Sequence, residues 1–180
     1  MKRTTHIRSE TESLDDIASA LEGRVFHVTK LLYLDTILAD AEIRPNPDGH
    51  LSTTFGHVPN AFFRKRNCVS VFDYRAAPTD QIRDFRNRCS PFQPARPPSE
   101  GIAILLLKPY IHASLIDWTQ WKEEKMWRDM VVPYVEAGYP GPIPIDAIEE
   151  VICLKLNEDP NSFTARIRNI KKQTGPDLQI

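Results

Sequence analysis

The sequence predicts an α+β fold, because strand and helix patterns are mixed along the chain without regular βαβ alternation. The segment "IAILLLK" (102–108) is a continuous apolar run, which is typical of a strand buried on both faces. The segments "SLDDIASALEG" and "KLLYLDTILADAE" have apolar residues at helical spacing. Three shorter runs, "RVFHV", "CVSVFDY" and "EEVICLKL", predict further strands.

The sequence of the first half of the chain predicts helices and strands in mixed order. Ser13 with Asp16 resembles a capping pair and predicts the start of the first helix, and Gly23 predicts its end. In chain order we expect a loose segment (1–12), a helix (13–23), a strand (24–28), a helix (30–42), a turn (43–50), a strand (51–55), a loop (56–67) and a strand (68–74).

The second half is richer in proline and has a basic segment near its end. Thr79 predicts the start of a helix there. In chain order we expect a helix (79–89), a proline-rich loop (90–101), the buried strand (102–108), a segment that fits helix or strand (121–132), a loop (136–147), a strand (149–156) and a basic helix (161–172). We expect 13–158 to form a single domain, followed by a basic helix and tail over 159–180.

Composition predicts a protein that folds around one core and does not enter a membrane. The chain has 180 residues, of which 41% are hydrophobic and 26% charged, with a net charge of −1. No apolar run approaches the roughly 20 residues of a membrane span, and the N-terminus lacks the apolar core of a signal peptide. The three cysteines have no CxxC spacing, so we expect a reduced, cytoplasmic protein.

Several common catalytic motifs are absent from the sequence. It contains no glycine-rich phosphate loop, no zinc-binding HExxH and no GxSxG nucleophile elbow. The five histidines and three cysteines are scattered, so we expect no metal site. No surrounding pattern marks a cysteine as an activated nucleophile.

His27 and Thr29 place two hydrogen-bonding side chains in a predicted core strand. Residues at i and i+2 of a strand project to the same face, so these two share one face while Phe26 and Val28 share the other. Together they could bind a ribose or an amide. Alternatively, His27 is a satisfied core residue and Thr29 caps the following helix.

Segments of the chain resemble one enzyme family. "FHVTKLLYLDTILADAEIRPN" resembles the opening H-x-T block of DarT-type ADP-ribosyltransferases and of related abortive-infection families. "HVPNAFFRKRNCVSVF" is similar to their pattern of Val-Pro, two aromatics, an arginine and an apolar strand; its arginine corresponds to Arg66, or to Arg64 without one extra residue. "PIDAIEEVICLKL" resembles their closing strand, and these segments fall in order within 24–156.

A late block carries the acid in this family. "WKEEKMWRDMVVP" resembles the Glu-x-Glu-Trp-Arg block of the abortive-infection relatives, with Met126 in place of the second glutamate. Glu124 then corresponds to the first glutamate, and Glu123 lies one residue away. Glu124 and Arg128 could instead form a surface ion pair on a helix. "LSTTF" is close to the Ser-Thr-Ser strand of the arginine-first class of ADP-ribosyltransferases.

The resemblance implies a split, mostly antiparallel sheet with flanking helices and an enzyme that uses NAD as substrate without a metal. Positive charge develops on the ribose as nicotinamide leaves, and a carboxylate stabilises it. The implied catalytic residues are Glu124 and Arg66. The implied NAD-binding residues are His27 and Thr29 for a ribose, Arg64 as the alternative to Arg66 for the pyrophosphate, and Tyr33, Phe62 and Phe63 for the nicotinamide ring.

Three basic clusters, at 64–66, 83–88 and 166–172, suit single-stranded DNA or RNA as the acceptor, although they also fit ordinary solvated surfaces. We therefore expect a toxin or anti-phage effector that transfers ADP-ribose to nucleic acid, less readily to protein, and that has a neutralising antitoxin. The alternatives are an NAD glycohydrolase, an RNA 2′-phosphotransferase-like enzyme, and an inactive module that binds nucleic acid or protein.

Overall fold

A computed structural model describes residues 1–56, 58–162 and 165–166 of the chain. It has a mixed α/β architecture in which a mostly antiparallel sheet is flanked by helices, as the sequence predicted at this level. The strands are β1 (Lys2–Ser9), β2 (Val25–Lys30), β3 (Glu42–Ile43), β4 (Cys68–Asp73), β5 (Ile102–Leu107), β6 (Ile116–Asp117), β7 (Glu136–Pro140), β8 (Ile143–Pro144) and β9 (Ile148–Asn157). The α-helices are α1 (Asp15–Leu21), α2 (Leu34–Asp40), α3 (Phe62–Lys65), α4 (Asp80–Arg88) and α5 (Thr119–Glu123).

Seven strands form the main sheet in the order β1-β9-β5-β2-β4-β7-β6. β1 runs parallel to β9, and all the other neighbours are antiparallel. β3 and β8 form a separate two-stranded sheet. All six residues of β5 are buried, which confirms the prediction for the apolar run.

The two faces of the sheet pack into two separate hydrophobic clusters. Alternation assigns Val25 of β2 to the first cluster and its neighbour Phe26 to the second. Leu34 of α2 packs in the first cluster, together with both strands of the small sheet. Ile17 and Leu21 of α1 pack in the second cluster. Each face of the sheet is therefore covered by its own helices.

The strands β2 and β4 separate in the middle of the sheet. They pair only at Val25 with Asp73 and at Phe26 with Phe72. The rings of Phe26 and Phe72 stack there with centroids 5.1 Å apart. β2 continues along β5 to Lys30, while β4 continues along β7 to Cys68. A gap opens between the two central strands, and this gap positions the candidate site.

Two predictions of segments without regular structure were wrong. The segment 1–12 was expected to be loose, but Lys2–Ser9 pairs in register with β9. Its sequence has no apolar run because it is an edge strand with alternating exposed residues. The segment 136–147 was expected to be a loop, but it contains β7 and β8.

Other predictions differ in detail. Residues 51–55 form no strand, and Phe62–Lys65 forms a short helix inside a predicted loop. The ambiguous segment 121–132 continues α5 as far as Glu123 and then turns. The helix at 79–89 is confirmed, with the Thr79 hydroxyl accepting the Ile82 amide at 3.3 Å. The predicted basic helix at 161–172 lies largely outside the described residues.

Candidate functional site

A cavity of about 610 Å³ opens at the gap between β2 and β4. This volume lies within the roughly 300–1,000 Å³ typical of ligand sites. Its wall includes residues from both faces of the sheet, because Val69 and Val71 of β4 belong to the first face, and Ser70 and Phe72 to the second. Residues of α2, β3, the 44–56 loop, α3, the end of α4 with the residues that follow it (Arg88, Cys89 and Gln93) and the 130–136 segment complete the wall.

His27 lies on β2 immediately after the last residue paired with β4. Its Nδ1 is 3.0 Å from the carbonyl oxygen of Ser70 on β4. A carbonyl only accepts, so Nδ1 carries the proton and Nε2 of the neutral ring is an acceptor. Burial lowers the pKa of His27, which favours this neutral form, although the carbonyl of Ser70 opposes part of that shift. His27 can therefore accept a hydrogen bond from a ligand hydroxyl.

Glu136 begins β7 and lines the same cavity. Burial raises the pKa of Glu136, opposed in part by the backbone N–H of Val132 and the Ser70 side chain, which both hydrogen-bond the carboxylate. The Val132 N–H donates to Oε2 at 3.1 Å. Among the described residues, no Lys or Arg forms an ion pair with Glu136. This carboxylate is therefore held in place but keeps the capacity to interact with a ligand.

The segment that leads into Glu136 is fastened to α3. Asp129 is 5% exposed, and its Oδ1 lies 2.5 Å from Nζ of Lys65. The Phe62 N–H donates to the Met130 carbonyl at 2.8 Å, and the Met130 N–H donates to the Asn60 carbonyl at 2.8 Å. These contacts fix the position of Val132, whose N–H holds Glu136.

The helix α2 presents one stripe to the cavity. Tyr33, Thr36, Ile37 and Asp40 line it at positions i, i+3, i+4 and i+7, which lie on one helical face. Tyr33 itself belongs to the 3-10 turn that precedes α2. The stripe supplies two hydroxyls and one carboxylate beside an apolar surface.

Four of the eight residues expected at the site line the cavity, namely His27, Thr29, Tyr33 and Arg64. Thr29 is 6% exposed. The Arg64 guanidinium hydrogen-bonds the carbonyl oxygens of Pro47 at 3.2 Å and Val58 at 3.3 Å. Arg64 thereby connects Pro47 and Val58 to α3 at the cavity wall.

Phe62 and Phe63 do not line the cavity. Both are 0% exposed and pack with Cys68 in a third hydrophobic cluster. The Phe63 ring packs so closely against Gly138 that a Cβ at position 138 would overlap it. In this structure their surroundings are protein, so they serve as core residues beneath the site.

Glu124 and Arg66 also lie outside the cavity lining, where they form an ion pair with each other. Oε1 of Glu124 accepts a hydrogen bond of 2.7 Å from Gln120. The Arg66 guanidinium lies 3.7 Å from the centroid of the Phe62 ring. The structure therefore brings these two residues together, but at a surface separate from His27 and Thr29.

Five side chains of the two described basic clusters pair with acids, and Arg64 donates to backbone carbonyls. Lys65 pairs with Asp129, and Arg66 with Glu124. In the 83–88 cluster, Arg83, Arg86 and Arg88 pair with Asp80, Glu22 and Asp84 respectively. Arg86 is 7% exposed and also donates to two backbone carbonyls, so its role is structural.

Sequence reasoning missed Glu136 because Pro140, Gly141 and Pro142 favoured a loop. A strand signal is present just before them, since Val135, Ala137 and Tyr139 alternate with Glu136 and Gly138.

The described residues offer no metal centre, and burial raises the pKa of both thiols that line the cavity, Cys68 and Cys89. No group of three His, Cys, Asp or Glu side chains in this part of the chain is arranged to hold a metal ion. Cys89 lines the cavity, but burial raises its pKa to about 11, so its thiol is protonated at neutral pH. Within the described ranges, no helix has the length and apolar character needed to cross a membrane.

Comparisons of the chain with protein-family models, with curated proteins and with solved structures found no match.

Proposed function

We propose that this protein is an ADP-ribosyltransferase that binds NAD in the cavity between β2 and β4. The observation that carries the proposal is the placement of His27 and Glu136 in the wall of one cavity, connected through Ser70. The separation of the central strands supports the split sheet implied by the resemblance of the sequence. A wall drawn from both faces of the sheet suits a ligand with two chemically different halves.

Glu136 takes the acidic role that the sequence resemblance assigned to Glu124. In the reaction, the bond between ribose C1′ and the nicotinamide nitrogen breaks, and its electron pair leaves with nicotinamide. The Glu136 carboxylate stabilises the positive charge that develops on the ribose. The acceptor then bonds to C1′, and the carboxylate accepts its proton. Glu124 is less suited to this role because its carboxylate is engaged by Arg66 and Gln120 outside the cavity.

The other lining residues supply binding contacts. Nε2 of neutral His27 accepts a hydrogen bond from a ribose hydroxyl, and the Thr29 hydroxyl adds a second contact on the same strand face. Arg64 is the candidate for the pyrophosphate because it lines the cavity and carries a positive charge that attracts phosphate oxygens, while its hydrogen bonds to the Pro47 and Val58 carbonyls hold the guanidinium in place. Arg66 is displaced from this role by its ion pair with Glu124.

Trp127 supports a nucleobase as the acceptor. Its side chain is 59% exposed, and it precedes the cavity-lining Met130 in the same segment. The Trp121 ring packs edge-on against it with centroids 4.8 Å apart, and Nε1 of Trp121 donates to the Asp129 carbonyl at 2.9 Å. An indole fixed in this way can stack with an unpaired base of single-stranded DNA or RNA. The compensated basic clusters predict few phosphate contacts.

Nicotinamide release from NAD by the purified chain tests the proposal. The reaction is followed by NMR with and without single-stranded DNA or RNA, and the nucleic acid is weighed by mass spectrometry. We expect release that depends on nucleic acid, together with the mass of one ADP-ribose on the acceptor. Release without an adduct would identify a glycohydrolase instead. Absence of both release and NAD binding at millimolar concentration would exclude the proposed function.

A matched pair of variants links the activity to the cavity. Glu136→Gln removes the charge of the proposed acid, whereas Glu124→Gln changes a carboxylate outside the cavity in the same way. Loss of release in the first variant but not in the second would support the assignment. The reverse pattern would return the role to Glu124.

A further inference from the structure

The wall of the cavity formed by α2 and β3 carries an excess of negative charge. Oδ2 of Asp40 lies 3.4 Å from Nη2 of Arg44, and Oε1 of Glu42 lies 3.0 Å from Nε of the same side chain. All three residues line the cavity. Two carboxylates therefore share one guanidinium, which leaves this wall with a net charge of −1.

Hydroxyl groups lie next to this charge. Tyr33 and Thr36 are on the same helical stripe as Asp40 and line the cavity with it. Carboxylates accept hydrogen bonds from hydroxyls, and the hydroxyls of Tyr33 and Thr36 both donate and accept. The wall is therefore suited to a neutral ligand group that is rich in hydroxyls, such as a ribose.

A phosphate monoester is poorly suited to the same wall. It carries about −1.5 to −2 charge at neutral pH, which the two carboxylates would repel. On this wall the cation that could offset the charge is Arg44, and both carboxylates already engage it. The other two arginines that line the cavity, Arg64 and Arg88, belong to α3 and α4. In dinucleotide-binding proteins of other folds, an acidic residue on the ribose 2′-hydroxyl favours NAD, and an accessible arginine accommodates the 2′-phosphate of NADP.

We infer that Asp40 and Glu42 bind a ribose of the substrate and make the protein select NAD over NADP. This inference rests on the proposed function, because it assigns part of the same cavity. It adds a determinant of specificity on the wall formed by α2 and β3, which pack on the first face of the sheet. Glu136 pairs with Phe72, a residue of the second face.

Titration of the full chain with NAD and with NADP tests the inference. We expect NADP to bind roughly tenfold more weakly or worse. In the double variant Asp40→Asn/Glu42→Gln, Arg44 loses both anionic partners, so we expect NADP binding to tighten and the preference for NAD to shrink or reverse. Asp80→Asn is the matched control, because Asp80 is exposed on α4 and pairs only with Arg83 among the described residues.

The outcomes separate the inference from the proposed function. Equal binding of both dinucleotides, or tighter binding of NADP, would overturn the inference while leaving the proposed use of this cavity intact. A preference for NAD that persists unchanged in the double variant and in Glu42→Gln would overturn the assignment to these two acids. Failure to bind either dinucleotide would overturn the proposed function and the inference with it. The ratio of the dissociation constants of NAD and NADP, measured on the wild-type protein, tests the selectivity even if the double variant does not fold.

Discussion

The imidazole of His27 hydrogen-bonds the backbone carbonyl of Ser70 across the gap where β2 and β4 have separated, with Nδ1 and the oxygen 3.0 Å apart. The ladder between these strands ends one residue earlier, at Phe26 and Phe72. The His27 side chain therefore provides the Ser70 carbonyl with a hydrogen bond that a backbone N–H of a neighbouring strand would otherwise donate. This contact connects the two sides of the cavity. His27, the proposed ribose-binding residue, lies on one side, and Ser70, which also hydrogen-bonds the proposed acid Glu136, lies on the other.

We expect the stability of the protein to fall as the pH is lowered below about 6.5, in part because of His27. Burial lowers the pKa of His27 in the folded state, so the unfolded chain binds a proton that the folded chain does not. Stability is then fully present above the unfolded pKa and decreases as the pH falls towards the folded pKa. Thermal unfolding midpoints measured between pH 7.5 and 5, in steps of about half a unit, report this loss.

His27→Gln isolates this contribution, because glutamine does not titrate. We expect its midpoint to vary less with pH over the same range. Burial also lowers the pKa of His112, which titrates in the same direction in both proteins, so the difference between the two curves belongs to His27. Identical pH profiles for the variant and the wild type would contradict a partly buried His27 that stays neutral in the folded state.

We expect Glu136→Gln to reduce nicotinamide release by about 10²–10⁴-fold, the usual contribution of a general acid or base. The variant keeps the shape of the side chain and can still accept the Val132 N–H, so the fold is retained. Because burial raises the pKa of Glu136, activity of the wild type should rise with pH through that raised pKa, as the carboxylate becomes ionised. Initial rates across pH 4–8 measure both effects, with Glu124→Gln as the control.

Patterns of residues along the chain were sufficient to predict several strands of the sheet and the start of one helix. The run at 102–108 identified the central strand, because a strand buried on both faces needs apolar residues at every position. Thr79 identified the start of α4 through a local contact with Ile82. Both predictions succeeded because the signal lies within the element itself.

The remaining elements depend on partners that are distant in sequence. β1 is held by its ladder with β9, about 150 residues later, which an edge strand of polar residues does not signal. The residues of the candidate site also differ in whether the local sequence could predict their position. The alternation of β2 placed His27 and Thr29 on one face, but it could not reveal that β4 separates from β2 beside them. Glu136 enters the cavity through that tertiary arrangement, and no local spacing links it to His27.

We expect Arg86→Met to destabilise the protein by about 2–4 kcal/mol. Its Nη2 donates to the carbonyl oxygens of Tyr74 at 3.1 Å and Ala76 at 3.0 Å, and its Nη1 lies 2.8 Å from a carboxylate oxygen of Glu22. Methionine fills similar space but removes these donors, so that the Ala76 carbonyl and the Glu22 carboxylate lose Arg86 while the Tyr74 carbonyl retains only the Gly23 N–H. Urea unfolding measures the change, with the exposed Arg83→Met as a control that should stay within about 0.5 kcal/mol of wild type.

Gly138→Ala should destabilise the protein by about 1–3 kcal/mol, the usual cost of overpacking a core. Gly138 pairs with Ser70 of β4, and a Cβ added to it would overlap the buried ring of Phe63. The ring cannot move freely because it also packs edge-on against Phe62, with centroids 5.0 Å apart. Urea unfolding of the variant measures the loss.

A second substitution distinguishes steric overlap from an effect on the backbone. Phe63→Leu alone should also destabilise the protein, because it leaves space in the third cluster. If overlap with the ring is the cause, the double variant Gly138→Ala/Phe63→Leu should be less destabilised than the sum of the two single variants, since the added methyl group then occupies vacated space. Strict additivity would show that Gly138 is required for the strand backbone itself rather than for the close approach of Phe63.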